Sequence, residues 1–348
     1  MITFNGNILT TSTGKWYIPN RPYSISYSTV PNGSFSGPSQ AYGGQLITVT
    51  ATGSSSTYML DYITVNGTRI TGNTFIMPYG EVTVGGAFKI NYNPLNLPAY
   101  TIRVVTANTS LDSTMNQRGA TAVNRGQYQS TNYRVFDVTR NNSNWSSLFA
   151  GASTCKIIKV LGANTAGVTN MNNLFYYNID LNEVALFDTS SVTDMAEMFK
   201  YCSNSLRTVP LFDTHNVTTM KGMFEAVSGG GQLRTCPNFN TSKVTNMEAM
   251  FRRQKQMQSF PNFDTSKVVN FGEMFSSCSS ITGAIHIYTL HQVSGGIDLG
   301  GMFYNCSSLS SVKPFYNYAS RFTISDHVAT FTGCTGASDY YSVPEDWR

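Results

Sequence analysis

Two stretches of the chain decide its architecture: SVTDMAEMFKYCSNSLRTVPLFDT at residues 191–214 and KVTNMEAMFRRQKQMQSFPNFDT at residues 243–265. They align along most of their length, so they are copies of one unit. A phenylalanine recurs at the same place in every copy, and successive anchors lie 24 to 28 residues apart. The anchors are Phe175, Phe199, Phe224, Phe251, Phe275, Phe303 and Phe331. This fixed period is typical of a repeat protein, with six clear units and a degraded seventh that ends near Cys334.

Each unit has two halves with different hydrophobic periods. In the first half, Val192, Met195 and Met198 fall on one stripe at helical spacing, which predicts a short helix. In the second half, Leu206 and Val209 begin the L-x-x-L-x-L spacing that is typical of a leucine-rich-repeat strand. Neither half can bury its apolar face alone, so stacked units must share a core. The sequence therefore predicts a mixed α/β fold, a small antiparallel β module followed by a leucine-rich-repeat-type solenoid with a short helix plus a strand per repeat.

The segments before the repeats read as β structure. Alternating runs at residues 23–27 and 46–50 predict short antiparallel strands, and Asn66-Gly67 predicts a tight hairpin turn. Further strands are predicted at residues 100–105, 133–138 and 156–161. The expected order is an N-terminal attachment segment at 1–21, a β module at 22–91, a linker and solenoid N-cap at 92–162, the repeats at 163–334 and a C-terminal cap at 335–348.

The composition narrows the classes of function. Charged residues make up 12% of the 348 residues, compared with roughly 25% in an average soluble protein. The net charge is +4 and no block of lysine and arginine is present, so we do not expect nucleic acid as a partner. No segment approaches the length of a membrane span, so we expect no membrane either. The N-terminus carries no recognisable secretion signal.

Methionines and cysteines recur at fixed positions of the repeats, a pattern that could indicate a metal site. We favour a structural role for them. Ten of the 14 methionines lie in the repeats at spacings that predict core positions. Cys202, Cys278, Cys306 and Cys334 each follow an anchor by three residues, which predicts a column of buried thiols. Zinc sites normally contain paired CxxC ligands, and the sequence has none. We therefore predict no metal and no cofactor.

No spacing predicts catalysis. The histidines, His215, His286, His291 and His327, are scattered without an HExxH motif or a nucleophile partner. The aspartates of the recurring FDT phrase, Asp188, Asp213 and Asp264, are better explained as caps of the following helices than as paired catalytic carboxylates. A glycan hydrolase would need carboxylates that converge in a pocket, and the sequence indicates none. We therefore predict a protein that is not an enzyme.

Polar positions of the predicted strands point away from the core and stack into a strip. Repeat proteins commonly bind ligands through such a strip, although a merely solvated sheet has the same pattern. The predicted binding face consists of Arg207, Thr208, Arg234, Thr235, Gln258, Ser259, Ser310 and Lys313.

Three stretches resemble known families. The phrases FDTSSVTDMAEMF at 187–199 and FNTSKVTNMEAMF at 239–251 resemble the BspA-type leucine-rich repeats of surface proteins from Bacteroidetes, lactobacilli and mycoplasmas. Residues 44–88 resemble the internalin B-repeat-like β modules of bacterial surface and phage proteins. The opening MITFNGNILTTSTGKWYIP at 1–19 resembles proteins encoded by bacteriophages of gut Bacteroidales, including crAss-like phages.

These resemblances imply a non-enzymatic virion structural and adhesion protein, a head fibre or tail-associated fibre, that contacts host-surface or mucosal glycans or proteins. The virion surface is the expected location, because virion proteins leave by lysis and need no secretion signal. The alternative is a bacterial cell-surface BspA-like adhesin. Since fibres gain avidity from several weak contacts, we expect a homo-oligomer such as a trimer, joined to other virion proteins through the N-terminal region. The chain contains no sustained heptads for a coiled-coil stalk.

Overall fold

The computed structural model describes residues 3–5, 8–11, 14–17, 22–54, 58–90, 95–129, 131–151, 153–285 and 290–348. Residue 91 of the predicted β module, residues 92–94 of the predicted linker and His286 lie outside these ranges. The chain divides into two compact units, Met1–Pro94 and Leu95–Arg348. In the described residues, no helix is long and apolar enough to cross a membrane.

The first unit is built from short strands. They are β1 (Thr3–Asn5), β2 (Ile8–Thr11), β3 (Gly14–Tyr17), β4 (Tyr23–Tyr27), β5 (Gly33–Ser36), β6 (Gln40–Ala41), β7 (Leu46–Thr48), β8 (Thr50–Gly53), β9 (Tyr58–Val65), β10 (Thr68–Ile70), β11 (Thr74–Ile76) and β12 (Val82–Ile90). The largest sheet has the order β10-β9-β12-β4-β6. The expectation of antiparallel strands is correct for every described pair except β12 with β4, which is parallel.

The predicted hairpin turn is confirmed. Asn66 and Gly67 have φ angles of 49° and 80° and join β9 to β10, so that Val65 faces Thr68. The Asn66 side-chain Oδ1 accepts a hydrogen bond of 2.7 Å from the backbone N–H of Thr83, at the start of β12. The turn is therefore tied to the third strand of the sheet as well as to its own hairpin.

The second unit begins with a sheet and one helix. Its elements are β13 (Thr101–Thr106), α1 (Leu111–Gln117), β14 (Thr121–Gln127), β15 (Arg134–Thr139) and β16 (Ile157–Asn164). The sheet order is β14-β15-β13-β16-β17, where β17 is Glu183–Val184. The three strands predicted here are confirmed as β13, β15 and β16. Sequence patterning missed β14 because it is an edge strand with mostly exposed side chains, and missed α1 because only Leu111 and Met115 are buried in it.

The predicted mixed α/β solenoid of helix-and-strand leucine-rich repeats is wrong. Strand makes up 27% of the chain and helix 6%. The only α-helices in the described ranges are α1 and α2 (Lys313–Ala319), and neither coincides with a predicted helical half. The predicted helix around Met195 consists of turns. The predicted strand half is irregular as well, with Leu206 and Val209 buried but Leu211 59% exposed. The remaining short strands are β18 (Gly283–Ala284), β19 (Ile297–Asp298), β20 (Leu309–Ser311) and β21 (Ile324–Asp326).

Left-handed residues explain why helices do not form in the repeats. The backbone has a positive φ angle two residues before every anchor, and also two residues after every anchor except Phe224. Around Phe199 these residues are Glu197 (57°) and Tyr201 (64°), and around Phe275 they are Glu273 (53°) and Ser277 (62°). An α-helix of L-residues cannot contain them, because each left-handed residue costs about 1–2 kcal/mol and turns the next peptide out of alignment. The apolar stripe at helical spacing therefore belongs to a chain of turns.

The backbone hydrogen bonds that a helix would form internally join neighbouring repeats instead. Alternate N–H groups of one repeat donate to carbonyls of the next, at N···O distances of 2.7–3.2 Å. Four such bonds run from Met195 to Thr219, from Glu197 to Lys221, from Phe199 to Met223 and from Tyr201 to Glu225. Parallel bridges also link consecutive repeats from Asn144 through to Asp298. The described residues between 163 and 334 are therefore mainly turns stacked on turns, called the repeat stack below.

The seven anchors, preceded by Phe149, form a continuous aromatic column in the core. From Phe149 to Phe331, neighbouring rings lie 5.5–6.1 Å apart between centroids and are parallel to within 13°. Trp347 stacks on Phe331 at 6.0 Å and ends the column. The methionines flanking the anchors, such as Met195 and Met198, are fully buried, so their predicted core role is confirmed although they lie on no helix.

The FDT phrase has two structural roles. Its aspartates cap turns, because Oδ1 of Asp188, Asp213 and Asp264 each accepts the backbone N–H two residues further on. Capping is thus confirmed, but a turn follows each aspartate and not a helix. Its threonines are buried and join repeats, as shown by Thr189, whose Oγ1 donates to the backbone carbonyl of Asp213 at 2.8 Å.

Replacing Phe224 with alanine tests the aromatic column. Phe224 is buried between Phe199 and Phe251, 5.7 Å from each ring, so its loss leaves a cavity and two unstacked rings. We expect Phe224→Ala to lower the free energy of unfolding by about 3–5 kcal/mol in urea denaturation. Tyr341→Ala is the matched control, since Tyr341 is 82% exposed, and its effect should stay below about 0.5 kcal/mol. Similar losses in the two variants would contradict the importance of the column.

Candidate functional site

The predicted binding face is exposed throughout. All eight of its residues are accessible to solvent. Arg207 and Arg234 lie in successive repeats, where the backbone N–H of Arg234 donates to the carbonyl of Arg207 at 3.2 Å. Ser310 lies in β20 and Lys313 is the first residue of α2. The other six residues of the face lie in irregular segments, outside the helices and strands. None of the eight lines the groove described below.

A second surface was not predicted from the sequence. It is formed by the residues directly after the anchors and is called the turn surface. Its members are Tyr176, Lys200, Glu225, Arg252, Ser276 and Tyr304. This position changes from repeat to repeat between aromatic, basic, acidic and hydroxyl side chains, while the anchor before it stays constant. A variable residue directly after a constant anchor was the feature of the sequence that could have identified the turn surface.

A charge network occupies the middle of the turn surface. The Glu225 side chain is only 6% exposed and lies 3.1 Å from Lys200 Nζ. The Nη1 atoms of Arg252 and Arg253 lie 3.7 Å and 3.6 Å from Glu225 Oε1. Burial opposes the charged form of Lys200, but hydrogen bonds and charges from Glu197 and Glu225 outweigh burial and raise the pKa of Lys200. A buried carboxylate surrounded by three cations holds three repeats together electrostatically.

Next to this network lies a groove of about 610 Å³, within the range of small-ligand sites. The side chains that matter for its chemistry are Arg252, Glu273, Ser276, Asp298, Tyr304 and Asp326. Glycines form part of the lining, and a Cβ atom on Gly300 would lie 2.7 Å from Asp326 Oδ2. A side chain at residue 300 would therefore displace the Asp326 carboxylate.

Two carboxylates of the groove carry no compensating charge. Asp298 and Asp326 each use Oδ1 to accept a backbone N–H of their own turn, from Gly300 at 2.9 Å and from Val328 at 2.8 Å. Neither forms an ion pair with any described residue. Burial raises the pKa of Asp298, and the nearby charges of Asp326 and Glu248 raise it further. In the described part of the chain, no three His, Cys, Asp or Glu residues are grouped to hold a metal ion.

The predicted thiol column is confirmed. Sγ of Cys202, Cys278, Cys306 and Cys334 each lies 3.0 Å from the carbonyl oxygen of the anchor in the preceding repeat. All six cysteines are free. Where a repeat lacks the cysteine, a side-chain amide can take its place, as Gln254 Nε2 does with Phe224 O at 2.6 Å. The column is therefore a series of bonds between repeats.

The described histidines lie outside the groove. His215 is exposed and its Nδ1 lies 2.7 Å from Asp213 Oδ1. His327 stacks on Trp347, with ring centroids 4.8 Å apart, and its Nε2 lies 2.8 Å from Asp346 Oδ2. His291 is not among the groove residues either. The groove thus offers carboxylates, two guanidinium groups, two hydroxyls and a phenol ring, and none of its lining residues is a histidine.

Comparison with known proteins gives one match. The model of the family described as "Mycoplasma protein of unknown function, DUF285" matches residues 143–232 and 227–338, which together exceed half of the chain. This family is associated with BspA-type repeat proteins, in agreement with the resemblance of the repeat phrases. No curated protein and no solved structure matches the chain. Nothing in these comparisons bears on the resemblance to phage proteins.

Thiol labelling tests the burial of the cysteines. Burial raises the pKa of Cys202, Cys278 and Cys334 to about 12, so at mildly alkaline pH almost none of the reactive thiolate is present in the folded chain. We expect a thiol-reactive disulfide reagent to label all six cysteines quickly in denaturant and none quickly in the native protein. Rapid labelling of one or more thiols before unfolding would show that the column is accessible.

Proposed function

We propose that this chain, which belongs to the DUF285 family, is a non-enzymatic adhesion protein that holds a carbohydrate ligand in the groove of its turn surface. The observation that carries the proposal is the composition of the groove. Tyr304, whose side chain is 39% exposed, lines the same space as Arg252, Ser276 and the aspartates. An aromatic ring can cover the apolar face of a sugar, while carboxylates and hydroxyls bond to its O–H groups.

Several features support binding without turnover. No described histidine or cysteine lines the groove, so no Ser–His or Cys–His pair is formed there. Asp298 and Asp326 are each tied to a turn through one oxygen. Arg252 is fixed by Glu273, whose Oε2 lies 2.6 Å from its Nη1. Side chains held in this way form a preorganised surface for a ligand.

The proposed location is the outer surface of a bacterium or of a virion. The association of the family with BspA-type proteins supports the bacterial cell surface. The virion surface, with the protein as a head or tail-associated fibre, is supported by the resemblance of residues 1–19 to phage-encoded proteins. Portal, capsid or tail genes beside its gene would favour the virion, and their absence would favour the cell-surface adhesin.

Binding to a panel of immobilised neutral, acidic and amine-bearing oligosaccharides tests the proposed function. We expect the protein to bind at least one class, and Tyr304→Ala to weaken that binding roughly 10-fold, about 1.4 kcal/mol, because the stacking surface is lost. The matched control is Tyr341→Ala, which removes an exposed tyrosine outside the groove and should bind as the parent does.

The same panel separates the groove from the predicted binding face. A variant with Arg207→Glu and Arg234→Glu reverses two charges of that face and leaves the groove intact. If this variant loses binding while Tyr304→Ala retains it, the ligand site is the predicted face and not the groove. Absence of binding to every oligosaccharide would contradict a carbohydrate adhesin.

We also propose a homo-oligomer, because several weak sites presented together raise avidity by orders of magnitude. Static light scattering of the full chain at micromolar concentration should give a mass that is a multiple of 38.2 kDa, three-fold for a trimer. A mass of one chain under these conditions would contradict the proposed assembly. This outcome would leave the carbohydrate proposal standing, since the groove is formed within one chain.

A further inference from the structure

We propose that the ligand is a linear, neutral, β-1,4-linked polysaccharide that lies along the turn surface, with one sugar unit over each repeat from the Phe175 repeat to the Phe303 repeat. This inference rests on the proposed function and names the ligand class of the same site and its extent beyond the groove. Three observations support it: a second aromatic site on the same surface, the spacing of the repeats, and the paired charges between the two aromatic sites.

A cluster of three tyrosines, called the tyrosine platform, lies on the turn surface away from the groove. The ring centroids of Tyr176 and Tyr177 lie 5.5 Å and 5.8 Å from the centroid of Tyr201, and Tyr177 is 42% exposed. Lys200 Nζ lies 5.3 Å from the centre of the Tyr201 ring. A tyrosine offers an apolar face beside a polar hydroxyl, which suits a sugar ring with its apolar face and polar edge. The turn surface therefore has a second aromatic site besides Tyr304.

Backbone hydrogen bonds place the tyrosine platform and the groove on one continuous surface. The Tyr177 N–H donates to the Lys200 carbonyl at 2.8 Å. The Tyr201 N–H donates to the Glu225 carbonyl at 2.7 Å. The equivalent bonds of the following repeats run from Ala226 to Arg252, from Arg253 to Ser276 and from Ser277 to Tyr304. The groove itself is lined by residues of four consecutive repeats, so it also runs along the stack.

The step between repeats matches an extended sugar chain. From the Phe175 repeat to the Phe303 repeat, neighbouring anchor rings lie 5.5–5.9 Å apart between centroids. Parallel bridges join the backbones of these repeats, which corresponds to a separation of about 4.8 Å. One unit of a β-1,4-linked sugar chain has a length between these two values. In an extended peptide, side chains on one face recur about every 6.6 Å, so a peptide would lose register with the repeats.

The charges between the two aromatic sites are paired, which favours an uncharged ligand. The ion pairs have N–O distances of 2.6–3.1 Å and join Lys200 to Glu197 and Glu225, Lys221 to Glu248, and Arg252 to Glu273. A charged ligand would have to compete with these pairs, whereas sugar hydroxyl groups can donate to the carboxylates and accept from the cations. The additional aspartates of the groove, Asp298 and Asp326, would repel an anionic polysaccharide.

Calorimetric titration with oligosaccharides of two, four and six units tests the inference. Two neutral β-1,4-linked series serve as probes, the oligomers of glucose and those of N-acetylglucosamine. We expect the full chain to bind the hexamer of at least one series roughly 10-fold or more tightly than the dimer of that series, because only the longer chain reaches from the groove to the tyrosine platform.

Single substitutions separate the contributions of the two aromatic sites. Tyr177→Ala should weaken binding of the hexamer several-fold and leave binding of the dimer in the groove unchanged. Dimer binding also shows that this variant is folded. Tyr304→Ala should weaken binding of both oligomers. Tyr341→Ala is the matched control, because it removes an exposed tyrosine outside both sites, and it should change neither affinity.

The possible outcomes separate this inference from the proposed function. Equal affinity for dimer and hexamer, or a hexamer that binds Tyr177→Ala as tightly as the parent, would overturn the extended site and leave the carbohydrate function in place. Binding on the oligosaccharide panel without binding of either series would exclude the β-1,4-linked ligand class alone. If neither the panel nor either series binds, both proposals are wrong. Tighter binding of a proline-rich peptide than of either hexamer would replace the polysaccharide with a protein partner.

Discussion

Backbone hydrogen bonds between neighbouring repeats set the geometry on which the rest of the second unit depends. They exist because residues such as Glu197 and Tyr201 adopt left-handed conformations and direct alternate peptide groups toward the next repeat. Once two repeats are joined in this way, each side chain lies over its counterpart. The anchor rings stack at 5.5–6.1 Å, and the cysteine thiols reach the carbonyl of the preceding anchor. The cost of the left-handed residues is thus offset by bonds and packing that form only when repeats stack.

The same register builds the candidate site. The residue after each anchor contributes one side chain to the turn surface, so neighbouring repeats bring together residues that are 24 to 28 positions apart in sequence. Glu225 meets Lys200 and Arg252 for this reason, and Ser276 lies between Arg252 and Tyr304. Substitutions at this position alter the surface without disturbing the aromatic column beneath it. A chain with only 12% charged residues can therefore concentrate ion pairs and uncompensated aspartates along one surface.

Sequence reasoning identified the components of the site but not their arrangement. The repeat period, the buried thiols and methionines, and the capping role of Asp188 were predicted correctly because each follows from a local pattern of polarity and spacing. The groove was missed because Asp298 and Asp326 are 28 residues apart in the sequence. Their carboxylates come close to each other, beside Gly300, only when the two turns are stacked. The predicted face around Arg207 is exposed, as expected, but exposure alone does not distinguish a binding surface from a solvated one.

By itself, the sequence determined that the chain is a repeat protein, that the anchors and the methionines of the repeats are buried, and where the hairpin of the first unit turns. These properties depend on the order of polar and apolar residues along a short stretch. Only the tertiary structure decided that the repeats are stacked turns and not helices followed by strands. The sequence could not decide, because an apolar stripe at helical spacing is compatible with either structure. The choice was made by bonds to the next repeat, which stabilise left-handed residues that an isolated segment would avoid. For the same reason, only the stacked structure could place Ser276, Asp298, Tyr304 and Asp326 around one groove.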